Sequence, residues 1–124
     1  MKKKITRTLR GIAVVLLFAI SVDVFGAQQW FGCTPVGVAS ISTSRIHILC
    51  KEAAVNNQIR YFATPTRTIE ERAMANRHLT IALMAVTTGR RVNVLFEEQP
   101  TNDQEIWGCN ISDCRILLGV SIQP

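Results

Sequence analysis

Apolar positions along the chain come as several short runs and one long run. The long run begins at Ile69 and continues to Val86. Thr68 precedes it and Glu71 stands three residues later, the spacing of a capping box. Glu70 and Glu71 both fall in the first turn, where the helix dipole favours acids. Gly89 then supplies the residue that most readily closes a helix in the left-handed conformation. The pattern predicts a helix from Ile69 up to Gly89. It is followed by a strand over Val92-Asn93-Val94-Leu95-Phe96, a β-branched and aromatic segment.

The two halves of this helix differ. The first is polar on most sides, with Glu70, Glu71, Arg72, Asn76, Arg77 and His78. The second, Leu79-Thr80-Ile81-Ala82-Leu83-Met84-Ala85-Val86, is apolar nearly all round. A helix lying on one sheet needs a single apolar stripe. The second half therefore predicts burial from two sides, either within a tightly wrapped core or against another subunit.

The remaining runs read as strands. Val36 to Ile41 and Arg45 to Cys50 form a hairpin candidate about Ser42-Thr43. Pairing that sets Cys33 opposite Cys50 puts Ile46 against Gly37 and Ile48 against Pro35, or hides a bulge. Asn56-Asn57 marks a turn, and Ile59 to Ala63 is a third strand. Glu97 to Glu105 is a polar loop, and Arg115 to Ile122 closes the chain as a fifth strand. Three strands, a helix and two strands is the element order of the OB-fold, a mainly β, five-stranded Greek-key barrel with one helix between strands three and four. An open α+β sheet with one covering helix is the alternative.

The start of the chain changes the reading of charge. Lys2, Lys3, Lys4, Arg7 and Arg10 precede the apolar segment Gly11 to Ile20, and Gly26 and Ala27 are small. Residues 1–27 read as a cleaved signal peptide, so the chain is expected to be secreted through the periplasm. The whole chain carries 14 Lys and Arg against 9 Asp and Glu. Beyond residue 27, nine basic and eight acidic residues remain, a balance of about +1. That argues against a nucleic-acid partner. Residues 28–124 then form one small domain, a size at which disulfides or oligomerisation usually supplement the core.

Four cysteines fit an exported chain: Cys33, Cys50, Cys109 and Cys114. Three pairings are possible. Cys33 and Cys50 flank the hairpin, and Cys109 and Cys114 flank a short polar loop, so the expected bridges are 33–50 and 109–114. No Cys-x-x-Cys pair exists, and His47 and His78 lack zinc-like spacing, so no metal or other cofactor is expected.

Several segments, taken in order, resemble a known family. They are Tyr61-Phe62-Ala63-Thr64-Pro65-Thr66, Ala75-Asn76-Arg77-His78-Leu79 through Met84, and Thr88-Gly89-Arg90-Arg91-Val92-Asn93-Val94. Gly108-Cys109, Asp113-Cys114-Arg115 and the apolar last strand continue the series. Together they resemble the small binding (B) subunits of A–B pentameric bacterial toxins, of the subtilase-cytotoxin and typhoid-toxin type. The resemblance implies an OB-fold homopentamer whose helices line a central channel. Arg77, Leu79, Ile81, Leu83 and Met84 are then the expected interface and channel residues. It also implies binding of host cell-surface glycans, possibly sialylated, and docking of a separate catalytic A subunit. The serine-centred sugar pocket of that family has no matching motif here. The rival reading is a secreted or periplasmic OB-fold protein that binds a protein or small ligand without a toxin partner.

A sugar site needs fixed polar groups and an aromatic face. Trp30, Ser42, Thr43, Ser44, Arg45 and Trp107 are the candidates; Trp107 also reads as a core residue beneath the disulfide loop. Catalysis is not expected. There is no Gly-x-Ser-x-Gly elbow, and the adjacent Glu97 and Glu98 point to opposite faces of a strand. Arg90 and Arg91 follow the helix carboxyl end, where basic residues are favoured. Expression with export should yield a chain beginning at Ala27 or Gln28 by intact mass. A secreted product that retains residues 1–26 contradicts the leader reading.

Overall fold

The computed structural model describes residues 27–41 and 44–124. The predicted leader, apart from Ala27, lies outside the described residues, as do Ser42 and Thr43. Among the described residues the fold is mainly β with one α-helix. In chain order the elements are β1 (Gln28–Cys33), β2 (Pro35–Ile41), β3 (Arg45–Ala54), β4 (Ile59–Pro65), α1 (Ile69–Thr88), β5 (Val92–Glu97), a 3-10 turn (Gln104–Trp107) and β6 (Cys114–Ile122). The five expected strands are present, and β1 is an additional one. The helix therefore follows the fourth strand rather than the third.

All six strands join in one mixed sheet in the order β1-β5-β6-β4-β3-β2. Only β4 and β6 run parallel; the other neighbours are antiparallel. β1 and β2 stand at opposite ends of that order yet are consecutive in the chain, with Thr34 alone between them. Glu52 fixes this junction. One carboxylate oxygen accepts from the Thr34 N–H at 2.7 Å and the other from its hydroxyl at 2.6 Å. Arg91 approaches the same carboxylate at 3.7 Å. Burial pushes the Glu52 pKa up, but the Thr34 hydrogen bonds and the Arg91 charge outweigh it and hold it below the usual range.

The hairpin register differs from the one that sets Cys33 opposite Cys50. Ile46 pairs with Ser40 and Ile48 with Val38, and the irregularity falls between Pro35 and Gly37. The turn is closed by the Ser44 N–H donating to the Ile41 carbonyl. Cys50 is consequently opposite Pro35, while Cys33 is opposite Val92 on β5. The expected bridges both form, Cys33–Cys50 and Cys109–Cys114. The first is not the direct cross-strand pair of a hairpin. It runs from β1 to β3 through the core, where both cysteines are fully buried. With no free cysteine, these bridges indicate an oxidising, extracytoplasmic environment.

Strand alternation sorts the side chains. Ile46, Ile48 and Cys50 of β3 point inward, and Arg45, His47 and Leu49 lie on the other face. The inner core gathers Ile48, Ile59, Phe62, Val92, Val94, Phe96 and Leu117. Phe62 is central, with its ring 5.1 Å from Phe96 and 6.1 Å from Phe31. A smaller cluster forms where the 3-10 turn and disulfide loop cover β4 and β6: Ala63, Trp107, Cys109 and Cys114.

The helix matches its expected ends. Thr68 and Glu71 make both halves of the capping box, and Gly89 is left-handed at φ 65°. Its buried residues are Ala75, His78, Ala82 and Ala85, a narrow stripe at helical spacing. These are mostly small, so the helix backbone lies close to the strands. Reduction of both bridges should lower the thermal midpoint of the folded domain sharply, since each loss costs about 2–5 kcal/mol. An unchanged midpoint with verified free thiols contradicts a structural role for the bridges.

Candidate functional site

The outer face of β3 and β4 carries the clearest cavity, about 320 Å³, lined by Arg45, His47, Tyr61, Gly108, Asn110, Asp113 and Cys114. Its floor follows from strand periodicity. Arg45 and His47 share a face because they are two apart on β3. Leu49 pairs with Tyr61 and His47 with Ala63, which brings Tyr61 of β4 alongside. The His47 and Tyr61 rings meet edge to face, 5.3 Å apart at 86°. Burial, and then the charge of Arg45, push the His47 pKa down, so this imidazole is neutral at neutral pH.

The wall is the loop from Gly108 to Cys114. Gln104 is fully buried and donates to the carbonyls of both Cys109 and Cys114 at 3.1 Å. Its own carbonyl accepts from the Thr101 N–H. Arg115, also buried, donates to the carbonyls of Glu98, Ile111 and Cys114. Burial pushes its pKa down, and carbonyls rather than a carboxylate satisfy it. The disulfide, Gln104 and Arg115 thus hold one short loop from three directions. The Asp113 carbonyl accepts from the N–H groups of Arg60 and Tyr61, fixing that loop on β4.

Gly108 matters at this wall. Its φ is 93°, and a Cβ there would collide with the Arg45 guanidinium. The absence of a side chain lets Arg45 lie against the turn and donate to the Trp107 carbonyl at 3.3 Å. A weaker contact reaches the Ser44 hydroxyl at 3.5 Å.

Of the sequence-derived sugar candidates, the fold brings together Ser44, Arg45 and Trp107. Trp107 is only 3% exposed, so its ring packs in the small outer core instead of facing a ligand. Its indole N–H finds no acceptor among the described residues. Arg67 stacks over the ring from outside, 5.9 Å from its centroid. Trp30 is 61% exposed, on β1 opposite Leu95, and belongs to a different part of the sheet. Ser42 and Thr43 lie outside the described residues. Tyr61, Asn110, Asp113 and His47 were not among the candidates. The shared strand face of Arg45 and His47 was the available signal for the last of these.

The expected interface residues are on α1. Arg77, Leu83 and Met84 are exposed, and Leu79 and Ile81 are half-buried. Leu83 is 49% exposed, Met84 53% and Val86 44%. Met84 stands two residues after buried Ala82, which at 3.6 residues per turn puts it on the far side of the helix. No helix among the described residues is long and apolar enough to cross a membrane. No cluster of three or more His, Cys, Asp or Glu among them is arranged to hold a metal ion. No protein-family model, curated protein or solved structure matches the chain.

One titratable group couples α1 to the sheet. His78 is 6% exposed, and its Nδ1 lies 2.7 Å from the Thr64 hydroxyl. Burial pushes its pKa below the usual histidine value. The unfolded chain then binds the proton first as pH falls below about 6.5. Stability is full above that value and declines until the lower folded-state pKa is passed. Thermal midpoints measured from about pH 7.5 to about pH 5 should fall, and His78→Gln should remove part of that fall. An identical slope in the variant contradicts this role for His78.

Proposed function

We propose that the chain is an exported, non-catalytic binding subunit that assembles with copies of itself through α1. The observation that supports this is the apolar surface left on that helix. Its sheet-facing stripe is Ala75, His78, Ala82 and Ala85, while Leu83, Met84 and Val86 remain about half exposed. Small residues thus occupy the covered side and larger apolar ones the open sides. Larger apolar side chains left open together near one end of a helix favour an interaction site there. Removing each of these side chains from water is worth about 1 kcal/mol, and cyclic symmetry repeats the gain at every subunit contact.

The fuller reading takes β1 and β2 as two halves of one bent strand. Counted so, the sheet has five strands and closes on itself, in the order expected of an OB-fold barrel. The Cys33–Cys50 bridge and the Thr34–Glu52 hydrogen bonds sit at the bend and favour that reading. With the resemblance set out above, it leads to a toxin B subunit: a homopentamer with its helices around a central channel, recognising host glycans and carrying a separate catalytic A subunit.

Sedimentation of the mature chain at micromolar concentration should give a mass of about five chains. Leu83→Glu should shift it to the monomer while leaving the thermal unfolding cooperative. A wild-type monomer throughout, or a variant whose mass is unchanged, contradicts the assembly.

A further inference from the structure

The cavity beneath the Cys109–Cys114 loop has a composition that points to a class of ligand. It holds one cation, Arg45, and one carboxylate, Asp113, so its charges offset. His47 adds none at neutral pH, because burial and Arg45 lower its pKa. Such a site has no net preference for an anion or a cation.

Its unused hydrogen-bonding groups alternate in kind. Arg45 commits Nη1 to the Trp107 carbonyl and the Ser44 hydroxyl, and its other guanidinium N–H groups have no partner among the described residues. Asn110 uses its side-chain oxygen to accept from the Ser112 N–H and hydroxyl, which leaves its amide as a donor. The Asp113 carboxylate and the Tyr61 hydroxyl likewise have no partner among the described residues. Donors and acceptors therefore both occur among the residues that line this space. A hydroxyl both donates and accepts, so a neutral ligand with several hydroxyls satisfies both kinds. Tyr61, its ring fixed against His47, supplies an aromatic surface for an apolar ring face.

Size restricts the ligand further. A volume of about 320 Å³ is at the small end of ligand sites, which span about 300–1,000 Å³. It suits one ring with a substituent. The walls are pre-formed, because Gln104, Arg115 and the disulfide hold the loop without a ligand. Pre-formed walls reduce the ordering cost of binding.

We propose that this cavity binds a single uncharged saccharide ring, with Asp113 accepting from its hydroxyls, Arg45 and Asn110 donating to them, and Tyr61 against its C–H face. The inference deepens the proposed glycan-binding role and rests on it. It differs from the sialylated ligand expected from the resemblance, because the offset charges give no reason to choose an acid.

The test uses methyl glycosides of galactose, glucose and mannose, with N-acetylneuraminic acid as the charged comparator. Binding to the mature chain is read by saturation-transfer NMR and titration. At least one neutral glycoside should bind, and N-acetylneuraminic acid should bind more weakly. Asp113→Asn should weaken the neutral ligand about tenfold, and Tyr61→Phe by a smaller factor, with native mass unchanged. If Asp113→Asn does not fold, Tyr61→Phe, which removes only a hydroxyl, carries the test. The cavity assignment is overturned if no neutral glycoside binds, if the folded variants bind as the wild type does, or if the acid binds more tightly. Glycan-array binding that survives both variants contradicts this cavity and leaves the broader glycan reading standing. A monomer that binds a neutral glycoside through Asp113 contradicts the assembly reading alone.

Discussion

The geometry of α1 on the sheet constrains the rest of the molecule. Alanines and one histidine occupy the covered stripe, so the helix packs close and contributes little volume to the core. The strands fill that core themselves, with Phe62 and Phe96 at its centre. Leu83, Met84 and Val86 are then left about half exposed, with Leu79 and Ile81 half-buried beside them. Burying Leu83 or Met84 inside the same chain would have required lifting the helix from the strands. The surplus apolar surface is thus a consequence of close packing, and it is the surface that the proposed assembly would cover.

A second constraint acts on the opposite side of β3 and β4. The loop from Gly108 to Cys114 is short and polar, and alone it would be mobile. Buried Gln104 and Arg115 spend their donors on its carbonyls, and the disulfide closes it. Such buried donors are costly without partners, so the loop and the two side chains stabilise one another. The result is a fixed wall facing a strand surface. Gly108 completes it by admitting the Arg45 guanidinium where any side chain would collide.

Much of the fold was legible because local signals agree. The Thr68–Glu71 box and Gly89 set both helix ends, and the β-branched runs located the strands. The bridges were found, though by an incomplete argument: Cys33 reaches Cys50 from β1 through the core, not across the hairpin. β1 was not counted among the five strands, because Gln28-Gln29-Trp30-Phe31-Gly32 shows no alternation of apolar and polar residues. The site was less legible. Arg45 was visible as a polar group beside a turn. Asn110 and Asp113 enter the cavity only because the parallel pairing of β6 with β4 sets Cys114 opposite Tyr61. No local pattern encodes that contact. Trp107, prominent in the sequence, packs inward because the 3-10 turn places its ring over Ala63 and the disulfide.

Methionine oxidation is the most direct probe of the helix surface. Met84 is 53% exposed in one chain, and contact with another copy would cover it. Peptide mapping after a brief peroxide pulse, across a dilution series, reports that cover at a single side chain. Self-assembly through α1 predicts slow oxidation of Met84 at high concentration and faster oxidation on dilution. Equal oxidation of Met84 at every concentration would contradict it.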